Sequence, residues 1–133
     1  MTWMVVLHDA FEAELRALDE NLQDELLAHA KLLQEFGPVL GRPTVDTLKG
    51  SRHANMKELR FGWNREVWRV AFAFDPERSV ILLTAGEKRS VDKRRFYKRL
   101  IEIADKRFEG HLAEIMAVAK PASRKERTRG KKH

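Results

Sequence analysis

The 133 residues are 43% hydrophobic and include no cysteine, so one ordinary core is expected, without disulfides, a thiol nucleophile or cysteine-ligated zinc, in a reducing, cytoplasmic setting. The net charge of +6 divides unevenly: residues 1–50 carry 4 Lys/Arg against 9 Asp/Glu, and the remainder 22 against 11. The second half thus suits a polyanion, while the opening apolar run lacks a basic flank and ends at His8, too short for a secretion signal or membrane span.

Residues 3–7, β-branched and aromatic, read as a first strand. Phe11, Leu15 and Leu18, then Leu22, Leu26, Ala30 and Leu33, recur at helical spacing and predict two consecutive helices or one bent helix. Asp19, Glu20 or Asn21 can cap the second, and Gly37-Pro38 stops it. A short extended piece is expected over 45–48, then strands over 56–61, 67–74 and 80–85 with turns at 62–65 and 75–78.

In the first of these strands Leu59 and Phe61 share one face, with Met56, Glu58 and Arg60 on the other. In the second, Trp68, Val70, Phe72 and Phe74 oppose Val67, Arg69, Ala71 and Ala73. The third is apolar on both faces, as in the middle of a sheet. Phe96, Leu100, Ile103, Ala104, Phe108 and Leu112 then mark a C-terminal helix, which Ser90 or Asp92 can cap. The fold class is α+β, a small, mainly antiparallel sheet of four strands with an N-terminal helical hairpin and a C-terminal helix. Residues 1–118 form that domain, and 119–133 a basic tail expected to be disordered.

Arg69 is the one cation on a face otherwise made of Val67, Ala71 and Ala73, whose small side chains leave a concave floor where a guanidinium can grip phosphate. A structural pairing with Glu58 explains it equally well. Lys88 and Arg89 follow the buried strand at the end of the sheet, where sites are often built, although a solvated loop is the plainer reading. Lys93, Arg94, Arg95, Lys98 and Arg99 continue the positive surface, and Tyr97 lies among them, able to pass a proton, stack on a base or extend the seam begun by Phe96. The five histidines have no metal spacing, and no phosphate-binding loop, dinucleotide fingerprint or serine-esterase elbow is present. RNA cleavage suits this inventory, because the ribose 2′-OH supplies the nucleophile and the protein need only orient it, neutralise the phosphate and move protons.

The runs Leu48-Lys49-Gly50, Glu58-Leu59-Arg60 and Trp68-Arg69-Val70, ending at Asp75 and followed by a buried strand, a Gly-containing basic segment and a helix, resemble the RelE/ParE toxin superfamily, above all its HigB-type, phage-derived branch. The resemblance covers residues 3 to about 112. It implies helices on one face of a twisted sheet, with the opposite concave face entering the ribosome and holding mRNA. It further implies a toxin restrained by a separately encoded antitoxin, typically a helix-turn-helix DNA-binding protein, and mRNA cleavage on the ribosome without metal or other cofactor.

On this resemblance Arg69, Lys88 and Arg89 are the phosphate-stabilising catalytic residues, Tyr97 is a looser match, and Glu58 is a general base or an orienter of Arg69. Lys49, Arg52, Lys57, Arg60, Lys93 and Arg94 are RNA-binding candidates. The chain departs from the RelE pattern at Met56 and Glu58, where lysines line that strand, so the proton-transfer arrangement of RelE does not carry over. Two other functions fit the same features: a gyrase inhibitor of the ParE branch and a noncatalytic nucleic-acid-binding module.

Overall fold

The computed structural model describes residues 2–89 and 92–128, with side chains to residue 118. Strand β1 (Met4–Leu7) leads directly into helix α1 (Asp9–Arg16), which His8 caps through its Nδ1, accepting the Ala10 N–H at 3.1 Å. Helix α2 (Glu20–Phe36) starts at Asp19, whose carboxylate accepts the Asn21 N–H at 2.8 Å. It ends at Gly37, where φ is +56° and a Cβ would collide with the Trp3 indole, so glycine serves both the reversal and the packing of β1 on α2. The N-terminal helices are therefore two, joined at a capped break.

Strands β2 (Val45–Thr47), β3 (Lys57–Trp63), β4 (Glu66–Phe74) and β5 (Ser79–Glu87) complete the sheet, in the order β1-β5-β4-β3-β2. All neighbours are antiparallel except β1 and β5. Five strands thus replace the four expected, because the piece at 45–47 pairs fully with β3. The turn expected over 62–65 shrinks to Asn64-Arg65, both left-handed, since Gly62 and Trp63 continue the pairing with Val67 and Glu66. Likewise β5 runs on to Glu87, with an irregularity opposite Ala71 and Phe72, through part of the segment expected as loop.

The expected alternation holds on both long strands. Leu59, Phe61, Val70, Phe72, Val80 and Leu82 join Phe11, Leu15, Leu26 and Leu33 in the core beneath the hairpin of α1 and α2. Helix α3 (Lys93–Thr128) does not join them. It crosses the opposite face, where Leu100, Ala104 and Phe108 pack on Met56, Ala71, Ala73, Ile81 and Leu83. Two expectations are corrected by this placement: helices lie on both faces of the sheet, and the small residues beside Arg69 are the seat of α3. Ala71 and Ala73 are wholly buried because a helix backbone can approach the sheet only where side chains are short.

Polar contacts fasten α3 where its apolar stripe ends. The buried Asp105 accepts Ser51 Oγ–H and the Arg52 N–H, Glu109 takes a bidentate grip from Arg52, and His111 Nε2 lies 2.8 Å from the buried Asp75. Arg107 reaches past β5 to Glu14 of α1 and donates to the Leu83 carbonyl on the way. Asp92 caps α3, accepting the Arg95 N–H at 3.1 Å, whereas Ser90 lies outside the described residues. The tail expected over 119–133 falls beyond the described side chains. No helix among the described residues is long and apolar enough to cross a membrane.

Candidate active site and nucleic-acid interface

Where α3 begins, the sheet beneath it changes from alanine to charge. Arg60 of β3 and Arg69 of β4 are direct cross-strand partners, and two guanidinium groups so placed repel unless a counter-charge lies beside them. Glu58, two residues back along β3, supplies it. Its carboxylate is 3.8 Å from Arg60 Nε and 3.9 Å from Arg69 Nε, and its side chain is 6% exposed. The residue expected to project outward is thus buried, covered by the first turns of α3.

Tyr97 links these groups. Its hydroxyl donates to Glu58 Oε1 at 2.8 Å and accepts from Arg69 Nε at 2.7 Å, while Phe96 turns its ring toward Gly86. Both rings lie 5.8 Å from the Arg69 guanidinium carbon, within reach of cation–π attraction. Burial, followed by the hydrogen bond to Glu58, raises the phenol's pKa above its ordinary value, so Tyr97 is a neutral donor across the physiological range. Sequence alone left Arg69 between phosphate binding and pairing with Glu58. The structure has the pairing, with the phenol interposed, and it leaves Arg69 Nη2 without a hydrogen bond to the described residues.

That guanidinium lines a pocket of about 260 Å³ with Arg65, Lys88 and Arg89. Arg89 is tethered to Glu66 at 3.1 Å, and Lys88, half-buried at the end of β5, has no ion pair among the described residues. Arg65 escaped the sequence reading. Its left-handed backbone at the tip of the β3–β4 hairpin brings it beside Lys88, and only a recognised two-residue turn could have signalled this. Arg60 turns instead toward a pocket on the other side of Tyr97, held by Asp46 of β2 at 3.1 Å. Lys49 and Lys93 line this second pocket.

The remaining binding candidates divide. Arg94 stands with Lys49 and Lys93 around a larger cavity between the 49–52 loop and α3. Arg52 borders that cavity too, but its guanidinium is committed to Glu109. Lys57 is a correction: its register partner is Phe72, so strand alternation turns it to the α1–α2 face, away from Glu58, Arg69 and Tyr97. Of the sequence-derived set, then, Glu58, Tyr97 and Arg69 form one hydrogen-bonded chain with Arg60 3.8 Å from Glu58, with Lys88 and Arg89 lining the Arg69 pocket and Lys49, Lys93 and Arg94 the cavities on the other side of Tyr97.

Comparison with known proteins agrees with this arrangement of elements. Residues 13–109 match the family described as phage derived protein Gp49-like (DUF891). The chain is 40% identical over 109 residues to the putative toxin HigB3 of Mycobacterium tuberculosis, covering 82% of this chain and 93% of that one. It is 43% identical over 118 residues to the putative toxin HigB2 of the same organism, covering 88% of this chain but only 58% of the relative's length. A free-state mutant of E. coli toxin RelE superposes over 80% of this chain and 98% of its own, with a TM-score of 0.56 at 15% identity. A chain of the M. tuberculosis toxin–antitoxin complex RelBE2 superposes over 65% of this chain and 99% of its own, with a TM-score of 0.51 at 16% identity. Both superpositions establish a RelE-like fold.

Proposed function

The chain belongs to the phage-derived Gp49-like family of HigB-type toxins, and on that premise we propose that it is the toxin of a two-gene toxin–antitoxin system that cleaves mRNA on the ribosome and so arrests translation. The observation that carries the reading is the Glu58–Tyr97–Arg69 chain of hydrogen bonds beside a pocket whose lining of Arg65, Arg69, Lys88 and Arg89 outnumbers its acids, Glu66 and Glu87. Cleavage by internal transfer forms a bond from the ribose O2′ to phosphorus and breaks the bond from phosphorus to O5′. One proton leaves O2′ and one is delivered to O5′.

Arg69, with its free Nη2, stabilises the charge that accumulates on the phosphoryl oxygens, and Lys88 and Arg89 line the same pocket. Glu58 is the proton acceptor, reached through the Tyr97 hydroxyl that already donates to it, so base and phosphate clamp share one bridging atom. Glu58 also offsets the repulsion between Arg60 and Arg69, which makes its two roles inseparable in a simple deletion. Tyr97→Phe keeps the ring and the packing while removing the bridge.

The antitoxin partner is proposed as a helical or acidic segment that covers this positive face. Such a complex associates more slowly as salt is added. Hydrogen exchange would then protect residues 56–69 and 88–99, and protection confined to residues 10–36 would point to steric exclusion from the ribosome instead.

The deciding experiment adds purified protein to ribosomes translating a defined mRNA and maps new 5′ ends, with a gyrase supercoiling assay alongside. Codon-positioned cuts from the wild type, lost in Arg69→Ala and strongly reduced in Tyr97→Phe, are the expected result. Intact mRNA with inhibited supercoiling would overturn the reading in favour of the gyrase-inhibiting branch.

A further inference from the structure

A cavity of about 700 Å³, larger than the Arg69 pocket, lies between the 49–52 loop and the first turns of α3. Its wall combines hydrocarbon and charge in an unusual way. Ile101 and Tyr97 line it, and Lys49, Lys93, Arg94 and Lys98 stand around them. None of these four cations has an ion pair among the described residues. Asp105 borders the same cavity, but its carboxylate is consumed by Ser51 and the Arg52 N–H, which leaves Glu102 as the exposed acid.

This cavity also adjoins the catalytic cluster. Lys49, Lys93 and Tyr97 line both it and the pocket holding Glu58 and Arg60. A polyanion lying against the Glu58–Tyr97–Arg69 chain therefore has a cationic path around Tyr97 into the larger space. A lipid headgroup or free phosphate needs no apolar wall, and an acidic peptide needs no aromatic one. An unstacked nucleotide uses both, since its base has two apolar faces and its phosphate remains attached to the strand.

From these shared walls we propose that the cavity is a further nucleotide subsite, holding one unpaired RNA residue that flanks the dinucleotide carrying the scissile phosphate, with its base against Ile101 and the Tyr97 ring and its phosphate among Lys49, Lys93, Arg94 and Lys98. The inference rests on the RNA-cleaving reading and adds to it a residue of substrate that is bound without being cut. Tyr97 then serves both sites, its hydroxyl in proton transfer and its ring in binding.

The test is equilibrium binding of noncleavable 2′-O-methyl RNA to the full chain, comparing a dinucleotide with trinucleotides extended at either end. One extension should tighten binding about tenfold or more, in line with a stacked base. The gain should vanish in Lys98→Glu and in Ile101→Trp, which fills the cavity, while both variants bind the dinucleotide as the wild type does. Because Ile101→Trp could disturb packing, the wild-type amides of Gly50, Lys98 and Ile101 provide a variant-free readout: their NMR shifts should move on extension and that of His29 should not. A gain that survives both variants, unmoved amides, an equal gain from tripolyphosphate, or an acidic peptide entering where RNA does not, would each overturn the subsite. Failure to cut mRNA with the extension gain intact sinks the nuclease reading alone, whereas cutting without the gain sinks only the subsite.

Discussion

The two faces of the sheet are covered by helices, yet they are built from different chemistry. Beneath α1 and α2 the contact is mainly hydrocarbon, with Leu26, Leu33, Leu59, Val70, Phe72 and Leu82 fully buried. Beneath α3 the apolar seat is narrow, made around Ala71 and Ala73, and the rest is polar: Asp105 on the 51–52 loop, His111 on Asp75, and Tyr97 between Glu58 and Arg69. The difference teaches where stability and activity are separable. Removing volume from the first face should cost folding, and removing charge from the second should cost chemistry.

The largest effect is expected for Phe72→Ala, which empties a fully buried site among large side chains and should destabilise the fold by about 3 to 5 kcal/mol. Denaturant unfolding measures it. An unchanged midpoint would show that the hairpin face is not the main source of stability.

Arg69→Ala is the counterpart on the other face. It should lower mRNA cleavage by about 10²- to 10³-fold, the usual cost of one positioned donor, with a loss of stability well below that of Phe72→Ala. Glu58 keeps its bond from Tyr97 and its neighbour Arg60 in the variant, so it is not stranded. A folded Arg69→Ala protein that cleaves at the wild-type rate would remove the residue from the mechanism.

Asp105→Ala tests whether polar clasps or the alanine seat hold α3. The carboxylate is 2% exposed and accepts from Ser51 Oγ and the Arg52 N–H, so its removal strands two donors and should cost about 1 to 3 kcal/mol. The loss should be accompanied by faster exchange of the Arg52 amide. Normal protection there would assign α3 docking to Leu100, Ala104 and Phe108 instead.

What was legible in the sequence follows the same division. Alternation in 56–61 and 67–74 identified the hairpin face correctly, because both strands put large apolar residues on that side, with Lys57 at the start of β3 as the exception. The other face misled. Arg69 amid Val67, Ala71 and Ala73 fits an open floor and a helix seat equally well, since small residues permit either, and strand periodicity does not say what packs above. Lys57 was legible in principle, for it shares the parity of Leu59, and charge drew it into a site that its register denies it. The Glu58–Tyr97–Arg69 chain lies across 39 residues of sequence and depends on where α3 lands, which no local pattern encodes.

The smallest expected effect concerns the titratable cap of α1. His8 caps α1 through a nitrogen that accepts the Ala10 N–H, so the cap requires the neutral ring or at least an unprotonated Nδ1. Burial first, then the positive charge of Arg107, lowers the pKa of His8 below 6.5, opposed by Asp9 and Glu114 and reinforced slightly by His111. A depressed folded-state value means that the unfolded chain binds the proton more readily. The contribution is therefore complete above about pH 6.5 and disappears as the pH falls from there through the lower folded value. The loss should be that of an N-cap, about 0.5 to 2 kcal/mol. Glu14, also on α1, does not confuse the measurement, because its hydrogen bond from Arg107 lowers its pKa below 4.5 and its own loss comes at more acid pH. His8→Asn retains a capping acceptor without a titration in this window. Unfolding free energies of wild type and His8→Asn should run parallel above neutrality and diverge as the pH drops below about 6.5, the wild type falling faster. Parallel curves down to pH 5 would place the stability of this cap in the apolar contacts of Phe11 and Leu15 alone.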